Sequence, residues 1–226
     1  MVSLAVCSAA AQAAPRCVVR GHSVPGVRTS KVIKHTGKVV VYRTRLKSEG
    51  EYEQKRDVWA CDRGTNRFVL IGEEEDNEEY GTEGALSEFR VAGSWLVVRQ
   101  ETGVISETQC EKYQAPGSEN NCPSTTQSLL VVNAARGVMG SISSRNLPAV
   151  TPLLSADGAV AWWYQQQGTE KEANSFLYGC LAAAAKRKVV CKPRLVAQGQ
   201  IPETSVHLVA KTLSWTAAGQ QQSSVL

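Results

Sequence analysis

The chain has 226 residues, of which 42% are hydrophobic and 20% are charged, so it can bury a core and disorder is not expected. The formal net charge is only +4, and acidic and basic residues are interleaved along most of the chain. A nucleic-acid-binding protein gathers basic residues on one face, so the sequence argues against that class. The length suits one large β domain or two small ones.

The chain begins with MVSLAVCSAAAQAAP, which carries no charged side chain. Ala11-Gln12-Ala13 fits the small-x-small pattern of a secretory cleavage site, although the basic residues that usually begin a signal peptide are missing. The run is too short to span a bilayer. We predict a signal peptide at 1–13, a single domain at 14–226, and a secreted protein, extracellular or periplasmic. An apolar first strand is the alternative.

Four segments share one pattern: an apolar stretch, a tight turn and a strongly apolar strand. They are VIKHTGKVVVY (Val32–Tyr42), FRVAGSWLVV (Phe89–Val98), LLSADGAVAWW (Leu153–Trp163) and HLVAKTLSW (His207–Trp215). Glycine adopts positive φ without steric cost, so we align the copies on Gly37, Gly93, Gly158 and Lys211. Strands that are apolar on both faces are covered on both sides. The pattern therefore predicts four hairpins packed between other layers.

A second hairpin follows each of the first three. These hairpins are Asp57–Gly72 with a turn at Asp62-Arg63-Gly64, Ser128–Ile142 with a turn near Asn133–Gly137, and Ser175–Cys191 with a turn near Ala185-Lys186. A polar loop of variable length separates the two hairpins of each copy, and the longest is Glu101–Gln127. The sequence thus predicts an all-β fold of repeated four-stranded antiparallel meanders.

Two stretches resemble TolB-like β-propeller repeats. SADGAVAWW (Ser155–Trp163) is similar to their SPDG-type turn, and DVWACDRGTNRFVLI is similar to their second hairpin, in which a strand ends in Asp before a glycine turn. Ala156 replaces the proline, and the Trp-Asp dipeptide of WD40-like repeats is absent. The resemblance implies about four propeller blades, with Arg16–His22 as the strand that closes the ring; an open stack of sheets or a β-sandwich is the alternative. It implies no activity, because propellers host both binding and catalysis.

The cysteines fit an oxidising compartment. Removal of Cys7 with the signal peptide leaves an even number: Cys17, Cys61, Cys110, Cys122, Cys180 and Cys191. Proximity favours the pairs Cys110–Cys122 and Cys180–Cys191, and Cys17–Cys61 remains by subtraction. Buried free thiols are the alternative. No CxxC spacing occurs, which argues against a zinc or redox site.

No motif of a known catalytic site appears, whether a nucleophile elbow, a zinc-protease helix or a phosphate-binding loop. The histidines are His22, His35 and His207, and the last two flank tight turns, which favours a structural role. Asp57, Glu88 and Asp157 are candidate carboxylates for glycoside hydrolysis, which requires two of them facing each other. We predict no cofactor and no metal site.

Three further features have a structural and a functional interpretation. The acidic run Glu73–Tyr80 is expected to be a solvated connector, with calcium binding as the alternative. Lys186-Arg187-Lys188, with Lys192 and Arg194, is expected to be a solvated hairpin tip, with an anionic partner as the alternative. Trp162 is expected to pack between sheets, and Trp163 must point to the opposite face.

The sequence therefore favours an exported binding domain over an enzyme. Its partner is expected to be another protein, bound through loops on one rim, chiefly Glu101–Gln127, or else a glycan or small ligand. A secreted hydrolase and a calcium-dependent adhesion module are the alternatives. Neither a nucleic-acid partner nor a transmembrane segment is predicted.

Overall fold

The computed structural model describes residue 17 and residues 30–44, 47–48, 53–77, 81–102, 126–143, 151–165 and 174–226. Within these residues the chain is all-β, as predicted, and its strands pair antiparallel. The predicted signal peptide 1–13 and the predicted pair Cys110–Cys122 lie outside the described residues.

The strands follow one another as antiparallel meanders. The first meander contains β1 (Ser30–His35), β2 (Val39–Thr44), the short β3 (Lys47–Ser48), β4 (Glu53–Asp62) and β5 (Arg67–Asn77). The second contains β6 (Gly81–Ala92), β7 (Trp95–Thr102), β8 (Thr126–Asn133) and β9 (Val138–Ser143). The third contains β10 (Pro152–Leu154), β11 (Ala159–Gln165), β12 (Ser175–Leu181), an inserted hairpin of β13 (Ala183–Ala184) and β14 (Val189–Val190), and β15 (Arg194–Gly199). The fourth contains β16 (His207–Val209), β17 (Thr212–Ala217) and β18 (Gln220–Val225).

Pairing between β5 and β6 joins the first two meanders into a nine-stranded sheet, while the third and fourth form separate sheets. The first strand of each meander lies beside the first strand of the next, in the series β1, β6, β10 and β16. Among the described residues the sheets do not close into a ring or a barrel. Of the predicted closing strand Arg16–His22, only Cys17 is described.

Successive meanders pack face to face, because their central strands are apolar on both faces. Leu96 packs toward the first meander, and its neighbour Val97 packs toward the third. In the same way, Val160 packs toward the second meander and Ala161 packs toward the fourth. Each alternation puts adjacent residues into different apolar layers, which explains why these strands show no polar face.

One backbone hydrogen bond repeats in all four meanders and defines their equivalent residues. The amides of Arg63, Ala134, Ala182 and Leu226 donate to the carbonyls of Lys38, Ser94, Gly158 and Lys211, at 2.7 to 2.9 Å. The residues that begin the second strands are therefore equivalent: Val39, Trp95, Ala159 and Thr212. The sequence alignment on Gly37, Gly93, Gly158 and Lys211 is therefore wrong. It shifts the last two copies by one residue relative to the first two. Glycine is not the last residue of the first two turns, and a slip of one residue inverts both faces of a strand.

The first hairpin of each of the four meanders is present, as predicted. The second hairpins that turn at residues 63–66 and 134–137 are also present. The expected hairpin Ser175–Cys191 is confirmed at its turn, since β13 and β14 pair around residues 185–188, but the expected pairing of the whole of β12 with this segment is wrong. β12 pairs with β15, and β13 and β14 form a separate small hairpin between them. Residues 181–190 of this insertion have apolar residues on both sides of a polar turn. In the sequence they therefore resemble the end of β12 followed by its partner strand.

The two ends of the stack differ in their connections. The tight turns after β1, β4, β6, β8, β10 and β16 lie at one end, named here the turn end. Residues 45–52, 103–125 and 166–173, which contain the variable loops, begin and end at the opposite end, named the loop end. The predicted loop Glu101–Gln127 is wrong at both ends, because Glu101, Thr102, Thr126 and Gln127 are paired strand residues.

Candidate functional site

A cleft of about 550 Å³ opens at the loop end, between the third and fourth meanders. It is lined by the ends of β11, β12 and β17 and by the connection from β15 to β16. The lining residues are Trp163, Gln165, Ser175, Gln200, Ile201, Pro202, Glu203, Thr216, Ala218 and Gly219. A concave site with one aromatic side chain and several polar groups is the usual form of a ligand pocket.

Strand alternation places Trp163 in this cleft. Trp162 packs in the apolar layer shared with the second meander, so Trp163 points to the other side, as predicted, and packs half-buried against the fourth meander. Its indole N–H donates to the Ile201 carbonyl at 2.8 Å. Because this donor is already used, the rest of the indole offers an apolar surface to a ligand.

A short 3₁₀ turn, Glu203–Ser205, contributes Glu203 to the lining of the cleft. The Ser205 hydroxyl donates to the Pro202 carbonyl at 2.8 Å and accepts a hydrogen bond from the Thr216 amide at 3.1 Å. These bonds fix the turn to β17. The Glu203 side chain remains exposed and can accept hydrogen bonds from a bound molecule.

The predicted hydrolase carboxylates do not assemble in this cleft. Asp157 is exposed in the turn between β10 and β11, at the turn end. Glu88 accepts a hydrogen bond from Arg90 at 3.1 Å on β6, and Asp57 lies on β4. The cleft lining contains Glu203 as its carboxylate among the described residues, whereas glycoside hydrolysis requires a pair.

The acidic run is not a solvated connector over the part that the structure describes. Residues 73–77 continue β5 and pair with β4, so that Glu74 lies opposite Arg56 and Glu75 opposite Lys55. The buried Glu74 carboxylate accepts hydrogen bonds from Arg43 at 2.7 Å and from Arg56 at 2.6 Å. Cross-strand attraction explains why this charged segment folds as a strand. The predicted connector is wrong for these residues, and residues 78–80 lie outside the description.

Neither the acidic run nor the histidines form a metal site in the described part of the chain, where no group of three or more metal-ligating side chains occurs. His35 ends β1 and His207 begins β16, and both are exposed. His22 is outside the described residues.

The described residues contain two disulfides, Cys17–Cys61 and Cys180–Cys191, with Cα–Cα distances of 5.8 and 5.6 Å. The first ties residue 17 to β4 on the outer face of the first meander, beside the buried Val40 and Tyr42. The second closes the insertion that carries β13 and β14. Cys17, Cys61 and Cys180 are buried and Cys191 is partly buried, all in apolar surroundings, which fits structural rather than redox-active bridges.

Sequence reasoning identified Trp163 but not the polar residues around it. Gln165 and Ser175 face each other across β11 and β12, and Glu203 comes from the connection between β15 and β16. Only the offset between Trp162 and Trp163 gave a signal.

Comparison with protein-family models, with curated proteins and with solved structures finds no match. The described residues contain no helix long and apolar enough to cross a membrane.

Proposed function

We propose that this protein is an exported binding domain with a propeller-like arrangement of four meanders, and that it binds another protein at its loop end. The observation that carries the proposal is the position of the cleft. It opens at the loop end, where the strands that flank residues 45–52, 103–125 and 166–173 terminate. Binding residues are commonly held on loops by a rigid scaffold.

Three features support the propeller-like arrangement. Each meander follows the previous one in chain order, each packs face to face on the next, and the first strands lie side by side. In a propeller the first strands surround a common axis. The fourth meander has three strands among the described residues, and an additional strand beside β18 would complete it.

Export is supported by the buried disulfides, which persist in oxidising compartments and are rare in the cytosol. The test is the intact mass of the protein recovered from an exporting host, with thiols alkylated before and after reduction. Cleavage after Ala13 and no free thiol is the expected result. An uncleaved chain with free cysteines contradicts export.

Binding at the loop end is tested by site-specific photo-crosslinking in the organism that makes the protein. A benzophenone amino acid replaces Gln165 or Glu203 beside the cleft, and Arg63 at the turn end as the matched exposed control. Discrete protein adducts from the first two positions, and none from Arg63, are expected. Adducts at Arg63 alone, or equal adducts at all three positions, contradict the assignment of the binding face.

Trp163 favours a glycan as a second candidate ligand, because an indole surface without a free donor stacks well on sugar rings. A glycan array with the wild type and Trp163→Ala separates the two candidates. Glycan signals that disappear in Trp163→Ala would favour the glycan, and their absence leaves the protein partner.

A further inference from the structure

Exposed basic residues gather at the outer part of the turn end. They come from β5, from the turn before β9, from the tip between β13 and β14, and from β15. This basic patch consists of Arg67, Arg136, Lys186, Arg187, Lys188 and Arg194. All six are exposed, although they are spread over the sequence from 67 to 194. The tip Lys186-Arg187-Lys188 is evident in the sequence, but only the stacking of the meanders brings it beside Arg67 and Arg136.

Hydrogen bonds hold three arginines of the patch against neighbouring meanders. The Arg67 guanidinium donates to the Arg136 carbonyl at 3.0 Å, and the Arg136 guanidinium donates to the Ala184 carbonyl at 3.0 Å. Arg194 donates to the Val225 carbonyl in the fourth meander. The acceptors are neutral, so each guanidinium keeps its full charge.

Carboxylates do not neutralise the patch within the described part of the chain. The ion pairs found there involve Glu74, Glu75, Glu88 and Glu101, in the first two meanders, and none includes a residue of the patch. At the turn end, Asp62 is buried and bound to its own turn, and Asp157 is exposed between β10 and β11. The outer turn end therefore carries a positive field.

The exposed large aliphatic side chains lie at the same end. Each lies within three residues of the turn-end terminus of its strand: Leu70 (44% exposed), Leu181 (39%), Leu195 (49%), Val209 (72%) and Val225 (64%). Leu195 follows Arg194, whose guanidinium contacts Val225. Exposed cationic and aliphatic side chains therefore occur together at the turn end.

We propose that the turn end docks on the surface of an anionic phospholipid bilayer. Basic side chains are attracted to anionic headgroups, and adjacent aliphatic side chains enter the boundary between headgroups and acyl chains. A sulfated polysaccharide or a nucleic acid would use the charges but would gain little from five exposed aliphatic residues. Because the loop end faces the other way, a docked molecule would hold its cleft away from the membrane.

The test is flotation of the full protein with vesicles of phosphatidylcholine containing about 30% phosphatidylglycerol, compared with phosphatidylcholine alone. Binding to the anionic vesicles is expected, weakened by raising the salt from about 0.1 to about 0.5 M. Each basic residue near an anionic surface is worth roughly a fivefold change in affinity, so Lys186→Glu/Arg187→Glu/Lys188→Glu is expected to bind at least about a hundredfold more weakly. Val209→Ser/Val225→Ser is also expected to weaken binding, without changing its salt dependence.

Arg187→Glu and Lys31→Glu form a matched control pair, since both residues are exposed and both substitutions change the charge equally. Only Arg187→Glu is expected to weaken vesicle binding, and the melting temperatures of all variants are measured to establish folding. Equal binding to both vesicle types, or an unaffected triple variant, overturns the proposal. Binding to heparin without binding to vesicles overturns it in favour of a soluble polyanion. Self-association that the triple variant abolishes, without vesicle binding, overturns it in favour of a second copy of the chain.

Discussion

The turn end and the loop end use the same strands but differ in what connects them. At the turn end, the same backbone hydrogen bond closes each of the four meanders, and side chains link one meander to the next. Ser94 of the second meander donates to Asp62 of the first at 2.9 Å, and Arg136 reaches the third. At the loop end, the third and fourth meanders separate around a cleft. The difference indicates that one end maintains the stack and the other is available for recognition.

Tight turns explain this division physically. A short turn brings its backbone groups close enough to bond to the neighbouring turn, so its sequence is constrained. Longer connections tolerate changes in length at small entropic cost. Recognition residues can therefore vary at the loop end without loss of the stack.

The largest expected effect comes from two glycines with similar backbone angles, Gly158 at the turn end (φ +82°) and Gly219 at the loop end (φ +77°). A Cβ at Gly158 would lie 2.7 Å from the Trp95 ring, whereas nothing lies within 4 Å of one at Gly219. Gly158→Ala combines backbone strain with overpacking and is expected to lower the free energy of unfolding by about 3 kcal/mol. Gly219→Ala carries only strain, about 1 kcal/mol.

Urea denaturation of both glycine variants measures this contrast. Equal losses would show that the two ends are constrained alike.

A smaller effect is expected from two carboxylates. The buried Asp62 accepts hydrogen bonds from the amides of Gly64 and Thr65 and from Ser94. Asp62→Ala leaves these donors without their acceptor and is expected to cost about 2 kcal/mol. Glu203→Ala at the exposed cleft is expected to change stability by less than about 0.5 kcal/mol.

Thermal melts of the two carboxylate variants, with Asp62→Asn as the conservative variant, provide the measurement. Asn keeps one carbonyl acceptor and should recover part of the loss. If Asp62→Ala is as stable as the wild type, the hydrogen bond between Ser94 and Asp62 does not help to hold the meanders together at the turn end.

The smallest expected effect concerns pH. Burial raises the pKa of Tyr164 above its ordinary value of 10.0, and the neighbouring Tyr178 raises it further by charge repulsion and a hydrogen bond. The folded state thus favours the neutral phenol. Its stabilising contribution is complete below pH 10.0 and is lost as the pH rises through the folded-state pKa. The free energy of unfolding should therefore fall as the pH rises from 10.0 through the folded-state pKa of Tyr164. The fall should be less steep in Tyr164→Phe. Parallel pH profiles for the two proteins would rule out this role for Tyr164.

Much of the fold could be predicted because hairpins are local. The alternation around Gly93 and around Arg63-Gly64 specified both strands and turns, and the pairs Cys17–Cys61 and Cys180–Cys191 match the expected ones. Errors arose where pairing is not local. The partner of β12 lies beyond an insertion, and residues 73–77 form a strand only because Arg56 and Lys55 lie opposite.

The candidate site was less predictable for the same reason. Stacking of the third and fourth meanders brings together the cleft residues Trp163, Glu203 and Thr216. Their spacing in the sequence does not indicate that they lie close together. The basic tip Lys186-Arg187-Lys188 could be recognised in the sequence, but its proximity to Arg67 and Arg136 could not, because that proximity depends on how the meanders stack.

Native-state hydrogen exchange of backbone amides tests the contrast between the ends most directly. The amides of Arg63, Ala134 and Ala182 at the turn end should exchange only through global unfolding, with the full dependence on denaturant. Those of Ser205 and Val206 beside the cleft should exchange through local opening, faster and with little dependence on denaturant. Equal protection at both ends, or slower exchange beside the cleft, would contradict a stack that is held at its turn end and adaptable at its loop end.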